Sequence, residues 1–369
     1  MSLCEFLSPA EQLVGRVLTN GWEVTELLPR PKGATGGHFS ASYIVQSPQG
    51  QQAFLKAMDY RKALSSFDPA SALQIMTEAF NFERGILEKC RSNHLSRIVR
   101  VLDDGIVSSE SGEPSDTVQY LIFELARGDV RSFVDFNQAF EMSWALRIIH
   151  QAAAGLQQLH SAHIAHQDLK PSNIIIFERH RSKLADLGRA YQHGEVSPHD
   201  HYCCAGDSTY APPELLYGHI SPDWKTRRLG CDLYLLGSLL VFFCAGVSMT
   251  HLLFARLDDE HRFEKWGGPY SDVLPYLRQI FAQVIRDFPK ILPEGTILSS
   301  YHHDIVNRIS EAIRQLCDPD PELRGHPRNV GRSDTRYSLE RYVATFDLLV
   351  RKAEWSLMNK VPVEKLGRS

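Results

Sequence analysis

Residues 163–190, HIAHQDLKPSNIIIFERHRSKLADLGRA, set Asp168, Lys170, Asn173 and Asp186 among isoleucines, leucines and alanines. Charges in apolar surroundings are costly unless something pairs with them, so these four side chains need a ligand. An amide oxygen and a carboxylate are hard-oxygen donors. They suit Mg²⁺, which takes few protein ligands and fills its shell with water and substrate phosphates. Asp168, five residues before Asn173, is placed to meet an incoming hydroxyl, and Lys170 to neutralise a transferring phosphoryl group. Positioned reactants, a metal and balancing charge are what phosphoryl transfer requires. The pattern predicts a site for Mg²⁺ and a nucleotide.

Something must hold those groups. IIIF (174–177) and KLAD (183–186) read as strands joined by the turn ERHRS, a hairpin that puts Asn173 and Asp186 at the ends of neighbouring strands. Upstream, WEVTELLP (22–29), SASYIVQ (40–46) and QAFLKAM (52–58) are β-rich runs separated by Gly and Pro turns. Asp68 and Pro69 open a helix in which Leu73, Met76, Phe80 and Leu87 recur at helical spacing. RIVRVLDDGIV (97–107) and TVQYLIFEL (117–125) supply two further strands, and from about residue 130 helical patterns such as 141–163 dominate. A small β-rich half is thus joined near Ala126–Gly128 to a larger helical half. The apolar run LGCDLYLLGSLLVFFCAG (229–246) approaches the length of a membrane span but carries Asp232. A helix buried in a large core is the expectation there.

With these elements in place, HQDLKPSN resembles the catalytic loop of the eukaryotic-like (Hanks-type) protein kinases. DLG (186–188) is similar to their metal-binding DFG, thirteen residues after Asn173 and eighteen after Asp168. The resemblance implies an α+β bilobal fold, with Asp168 as catalytic base, Lys170 neutralising phosphate, and Asn173 and Asp186 holding the metal. It extends over about residues 22–345. FLK (54–56) resembles the V-A-I-K strand, which makes Lys56 the partner of the α- and β-phosphates and Glu83, rather than Glu78, its helix glutamate. TGGHFSASY (35–43) resembles the glycine-rich phosphate loop through Gly36 and Gly37, whose backbone can approach phosphate where side chains are small. The segment Glu124–Ala126 would line the adenine, with Phe123 behind it. GDSTYAPPE (206–214) is similar to the end of an activation segment, and DPDPELRG (318–325) supplies Arg324 as partner of Glu214. The implied domains are an N-terminal extension (1–21), an N-lobe (22–126), a C-lobe (127–345) with an insert around 255–300, and a helical tail (346–369).

Four departures from the family pattern stand out. Gln167 replaces the arginine that binds a phosphorylated activation segment, so activity independent of that switch is expected, and alanine at Ser197, Tyr202 or Thr209 should leave most of it intact. Phe54 takes the place of a small residue facing adenine, Asp207 that of the threonine typical of Ser/Thr kinases, and Thr35 and Ser40 those of two loop glycines. SPHDHYCC (197–204) gathers zinc-type ligands without a second pair at finger spacing, so an ordinary activation loop is the expectation. These divergent loops suggest a bacterial-type member.

The totals agree with a large two-lobed unit. There are 369 residues, 43% of them hydrophobic, and a formal charge of −4 that implies neither nucleic acid nor a membrane surface as partner. Seven scattered cysteines and the absence of a basic-then-apolar N-terminus point to a reduced, cytoplasmic setting. The expected activity is ATP-dependent transfer to a protein hydroxyl, with Ser/Thr as the expected acceptor, and with Mg²⁺ (or Mn²⁺) as the ion. A small-molecule kinase of the aminoglycoside or choline type and a catalytically weak pseudokinase scaffold are the alternatives. The insert and the tail, both with apolar helical stripes, are candidate partner-docking elements.

Overall fold

Strand alternation decides the first unit, which comprises Met1–His94 with Val99–Arg127. The computed structural model describes residues 7–29, 40–108, 117–136, 141–178, 181–291 and 303–358. Strands β1 (Glu23–Leu28), β2 (Ser40–Gln46) and β3 (Gln52–Met58) are followed by helix α1 (Pro69–Ser92), then β4 (Val101–Val107) and β5 (Val118–Glu124). The strands form one antiparallel sheet in the order β1-β2-β3-β5-β4. In β3, Ala53, Leu55 and Ala57 are fully buried, while Phe54 and Lys56 between them point to the opposite face. Asp68 caps α1 as its position before Pro69 suggests, its carboxylate accepting the Ser71 N–H at 3.1 Å.

The N-terminal residues are not an appendage. Ala10, Leu13, Leu18 and Trp22 pack on the face formed by Tyr43, Val45, Leu55, Tyr120 and Ile122 in one buried cluster. The Tyr43 hydroxyl donates to the Ala10 carbonyl at 2.5 Å. A sheet with one apolar face must bury it, and residues 8–22 are what this sheet uses. The expected boundary at 21 therefore falls inside a core.

The second unit, Leu95–Ile98 with Gly128–Ser369, is mainly helical. Its principal elements are α2 (Met142–Ser161), the hairpin β6 (Ile174–Ile176) and β7 (Ser182–Leu184), α3 (Gly230–Ala245), α4 (Tyr270–Ile291), α5 (His303–Leu316) and α6 (Glu340–Met358). The apolar run forms α3. The helical stretch Lys225–Ala245 is long and apolar enough to cross a membrane, but 89% of that window is buried inside the fold. The apolar stripes of the two additions are buried as well: Val273, Leu277, Val284 and Phe288 on α4, and Tyr342, Phe346, Leu349 and Ala353 on α6, which lies along α2. Outside those stripes Tyr276 on α4 and Leu348 and Trp355 on α6 are exposed. The expected tail boundary at 346 falls within α6, because the stripe begins at Tyr342.

Candidate active site

The first unit holds the phosphate-binding candidates. The Lys56 ammonium on β3 donates to both Glu83 carboxylate oxygens at 3.0 Å, and Glu83 is buried on α1. Glu83 is the helix carboxylate that meets Lys56; Glu78 is exposed and accepts a hydrogen bond from Gln74. Phe54 faces Phe123 on the neighbouring strand, ring centroids 6.4 Å apart, so aromatic surface lies beside the amine. Glu124 ends β5, its carboxylate accepting the Arg100 N–H at 2.8 Å, and Ala126 is half-buried just beyond. Gly36 and Gly37 lie outside the described residues.

In the second unit the hairpin forms in the register Ile174↔Leu184, Ile175↔Lys183 and Ile176↔Ser182. Asn173 closes the preceding turn of 3-10 helix, and Asp186 follows the second strand with φ of 59°. Left-handed backbone at a non-glycine residue is uncommon and tends to mark functional positions. Asn173 donates through Nδ2 to the Asp168 carbonyl at 2.7 Å and to Asp168 Oδ2 at 2.9 Å. With its amide nitrogen committed, the oxygen is the atom Asn173 has to offer a cation. Lys170 Nζ lies 3.2 Å from Asp168 Oδ2 and 3.3 Å from Asp207 Oδ2. The sequence pattern thus brings Asp168, Lys170 and Asn173 into one buried network, with Asp186 exposed at its margin.

Electrostatics follow from that packing. Burial pushes the Asp168 carboxyl upward, the Lys170 ammonium opposes this, and the nearby Asp186 charge adds to it. Lys170 is held above its ordinary value: burial works against its charge, and Asp168 and Asp207 outweigh burial. Asp207 is held low in spite of burial, through hydrogen bonds from Thr209 and the Lys170 charge. An amide oxygen, a carboxylate and a nearby ammonium fit a divalent cation bound with phosphate oxygens. No group of three or more His, Cys, Asp and Glu suited to a metal occurs among the described residues.

Asp232 organises the backbone beneath this network. It is fully buried at the start of α3, and its oxygens accept the His166 and Gln167 N–H groups, each at 2.8 Å. His160 Nε2 is hydrogen-bonded to the same carboxylate at 2.8 Å. Burial alone would raise this acid, but the hydrogen bond and charge of His160 hold it below the usual range. That answers how the apolar run tolerates a charge. Glu214 and Arg324 form a buried bidentate pair at 2.8 and 3.0 Å.

SPHDHYCC is occupied by protein partners. His199 meets Arg189 through Nδ1 at 3.1 Å and the Gly188 carbonyl through Nε2 at 2.8 Å, and the Cys203 thiol donates to the Leu215 carbonyl at 3.0 Å. Asp200 pairs with Arg228 at 3.2 Å. Two features escaped sequence reasoning. Gly206 passes so close to the catalytic loop that a Cβ there would lie 2.3 Å from the Gln167 carbonyl and 2.9 Å from Asp168 Oδ1. Arg228, buried one helical turn before Asp232, carried only that spacing as a signal.

The protein kinase domain family matches residues 35–324. The chain belongs to that family, as a Hanks-type protein kinase domain with a β-sheet lobe and a helical lobe. It is 33% identical to cyclin-dependent kinase G1 of Arabidopsis thaliana over 231 residues, 58% of this chain and 35% of that protein. It is 27% identical to mitogen-activated protein kinase 5 of the same plant over 176 residues, 46% of this chain and 44% of the relative. With a serine/threonine-protein kinase of Candida glabrata it shares 25% over 189 residues, 48% and 24% of the two lengths. The chain spans less than half of the length of each of these relatives.

Proposed function

We propose that this chain is an active protein kinase that transfers the γ-phosphoryl group of ATP to a serine or threonine hydroxyl of a protein. The observation that carries this reading is the contact set of Asp168, Lys170 and Asn173. Asp168 is the residue to accept the acceptor hydroxyl's proton, and Asn173 holds that carboxylate still through its amide nitrogen. Lys170 stands against the same carboxylate, where negative charge spreads during transfer. Asn173 Oδ1 and Asp186 would hold a divalent ion, Mg²⁺ in this reading, and Lys56, steadied by Glu83, the nucleotide phosphates. The ion, when bound, neutralises phosphate charge and orients the transferring group. The Ser/Thr assignment draws on the similarity to the serine/threonine-protein kinase of Candida glabrata.

We further propose that transfer needs no phosphate on the activation segment, since Gln167 has no cation to offer one. A cytosolic setting draws support from six described cysteines that are free thiols, four of them buried. The test is labelled transfer from γ-³²P-ATP with Mg²⁺ to a mixture of basic and acidic proteins, for the wild type, Asp168→Ala and Asp186→Ala. Label on protein serine or threonine that vanishes in both variants is the expected result. Transfer confined to small alcohols, or nucleotide binding without transfer, would replace this reading. Phosphatase-treated wild type should keep its rate within about twofold, a difference too small for a lost catalytic contact.

A further inference from the structure

Arg228 is 2% exposed, and a buried guanidinium needs specific partners to be tolerated. Its partners are unusual in where they come from. Nη2 lies 3.2 Å from Asp200 Oδ1, in the activation segment, and Asp200 is the one carboxylate paired with it among the described residues. Nη1 donates to Gln167 Oε1 at 3.3 Å, and the Gln167 side-chain amide donates back to the Arg228 carbonyl at 2.8 Å. The guanidinium carbon sits 3.1 Å from the centroid of the Tyr191 ring.

Each end of this arrangement is tied to something that matters. Gln167 is the residue before Asp168, and both its backbone and side-chain nitrogens donate to Asp232 Oδ1, at 2.8 and 3.0 Å. At the other end, Asp200 Oδ2 accepts the Ser197 N–H at 2.9 Å and closes the turn 197–200. The Tyr191 hydroxyl donates to the His199 carbonyl at 2.5 Å. A continuous line of contacts runs from the activation segment through Asp200, Arg228 and Gln167 to the catalytic aspartate. An arginine at 167 would face Arg228 with like charge; glutamine donates to Asp232 and accepts from Arg228. The departure at 167 and the buried arginine at 228 are complementary.

We infer that Asp200 and Arg228 are positioning residues, a permanent ion pair that fastens the activation segment to the catalytic loop and so shapes the surface that receives the protein substrate. This rests on the kinase reading above and supplies the physical reason for its independence from phosphorylation: the negative charge is part of the sequence, at Asp200. The two partners are not equal as probes. Arg228 is buried and its loss endangers the fold, whereas the Asp200 side chain is 44% exposed and can be neutralised without opening a core.

The experiment compares Asp200→Asn and Asp200→Glu with the wild type in steady-state transfer to a protein substrate, nucleotide affinity, and hydrogen exchange of amides 193–206. Asp200→Asn is expected to lower kcat/KM for the protein substrate by about tenfold or more, as small misplacements of a reacting surface do. Nucleotide Kd should stay within about twofold, exchange in 193–206 should accelerate, and Asp200→Glu should recover most of the loss. A merely structural role would shift nucleotide affinity and thermal stability as well. Unchanged kinetics and unchanged exchange in Asp200→Asn would overturn the anchor. Loss of wild-type activity after phosphatase treatment would overturn the phosphorylation-independence reading instead, and the exchange measurement still judges the anchor where no transfer is seen.

Discussion

Lys170 serves two masters. Its ammonium is shared between Asp168 and Asp207 at nearly equal distances, and Asp207 stands where the sequence pattern leads one to expect threonine. Asp207 also gives its backbone N–H to Asp168 Oδ1 at 2.8 Å, while Thr209 holds Asp207 through backbone and hydroxyl. The Asp168 carboxylate is therefore gripped by Asn173, Lys170 and the Asp207 backbone together. Thr209 is spent on this grip, so the sequence expectation that alanine at 209 leaves most activity intact is replaced for that position: the substitution would disturb the site for reasons unrelated to phosphorylation. In the role proposed for it Asp168 acts deprotonated, so kcat/KM is expected to fall as pH drops through its pKa. Lys170 lowers that pKa against burial. Lys170→Met is expected to cost about 10²–10³ in kcat, the usual loss for one charge-stabilising donor. It should also move the acid limb of the pH profile to higher pH; a limb that stays put or moves down would show that Lys170 does not act on Asp168.

Elements explain which parts were readable beforehand. Strands β2 and β3 are found where alternation places them, because each has one face buried in the sheet's own core and the period is two. The hairpin 174–184 was readable for the same reason: local apolar runs and a turn. What joins the activation segment to the catalytic loop was not, since Gln167 and Arg228 lie 61 residues apart, and no local period records a contact made by two polar groups. The departures were visible as exceptions; their partners needed three dimensions. Arg324 and Glu214 show what such distant pairs contribute. Both are buried, and removing one member leaves the other charge without compensation, at a cost of about 3–5 kcal/mol. Glu214→Ala is expected to lower unfolding stability by that amount in urea titration, while Glu214→Leu with Arg324→Met should recover much of it. Equal stability of wild type and Glu214→Ala would deny the pair a structural role.

At the scale of the molecule, both ends of the described chain are engaged in packing, residues 8–22 on the sheet and Glu340–Met358 on α2. Residues 1–21 read as an extension in the sequence, where an apolar segment without a clean period gives no sign of the face it will cover. Yet Leu13, Leu18 and Trp22 are each under 9% exposed, and burying an apolar side chain of that size contributes about 1.5–3 kcal/mol. Against a total stability of about 5–15 kcal/mol for a domain, three such losses are decisive. Deleting residues 1–22 is expected to leave a protein that unfolds well below the wild-type melting temperature in calorimetry, and a coincident melt would refute the cover.

That cover has a practical edge for anyone cutting the gene. The recognised family boundaries, 35 to 324, discard both the strip that roofs the sheet and the helix Glu340–Met358 that lies on α2. A fragment trimmed to those limits would present two bare oily surfaces to solvent and collect in inclusion bodies, so its silence in an assay would report on tailoring rather than on catalysis.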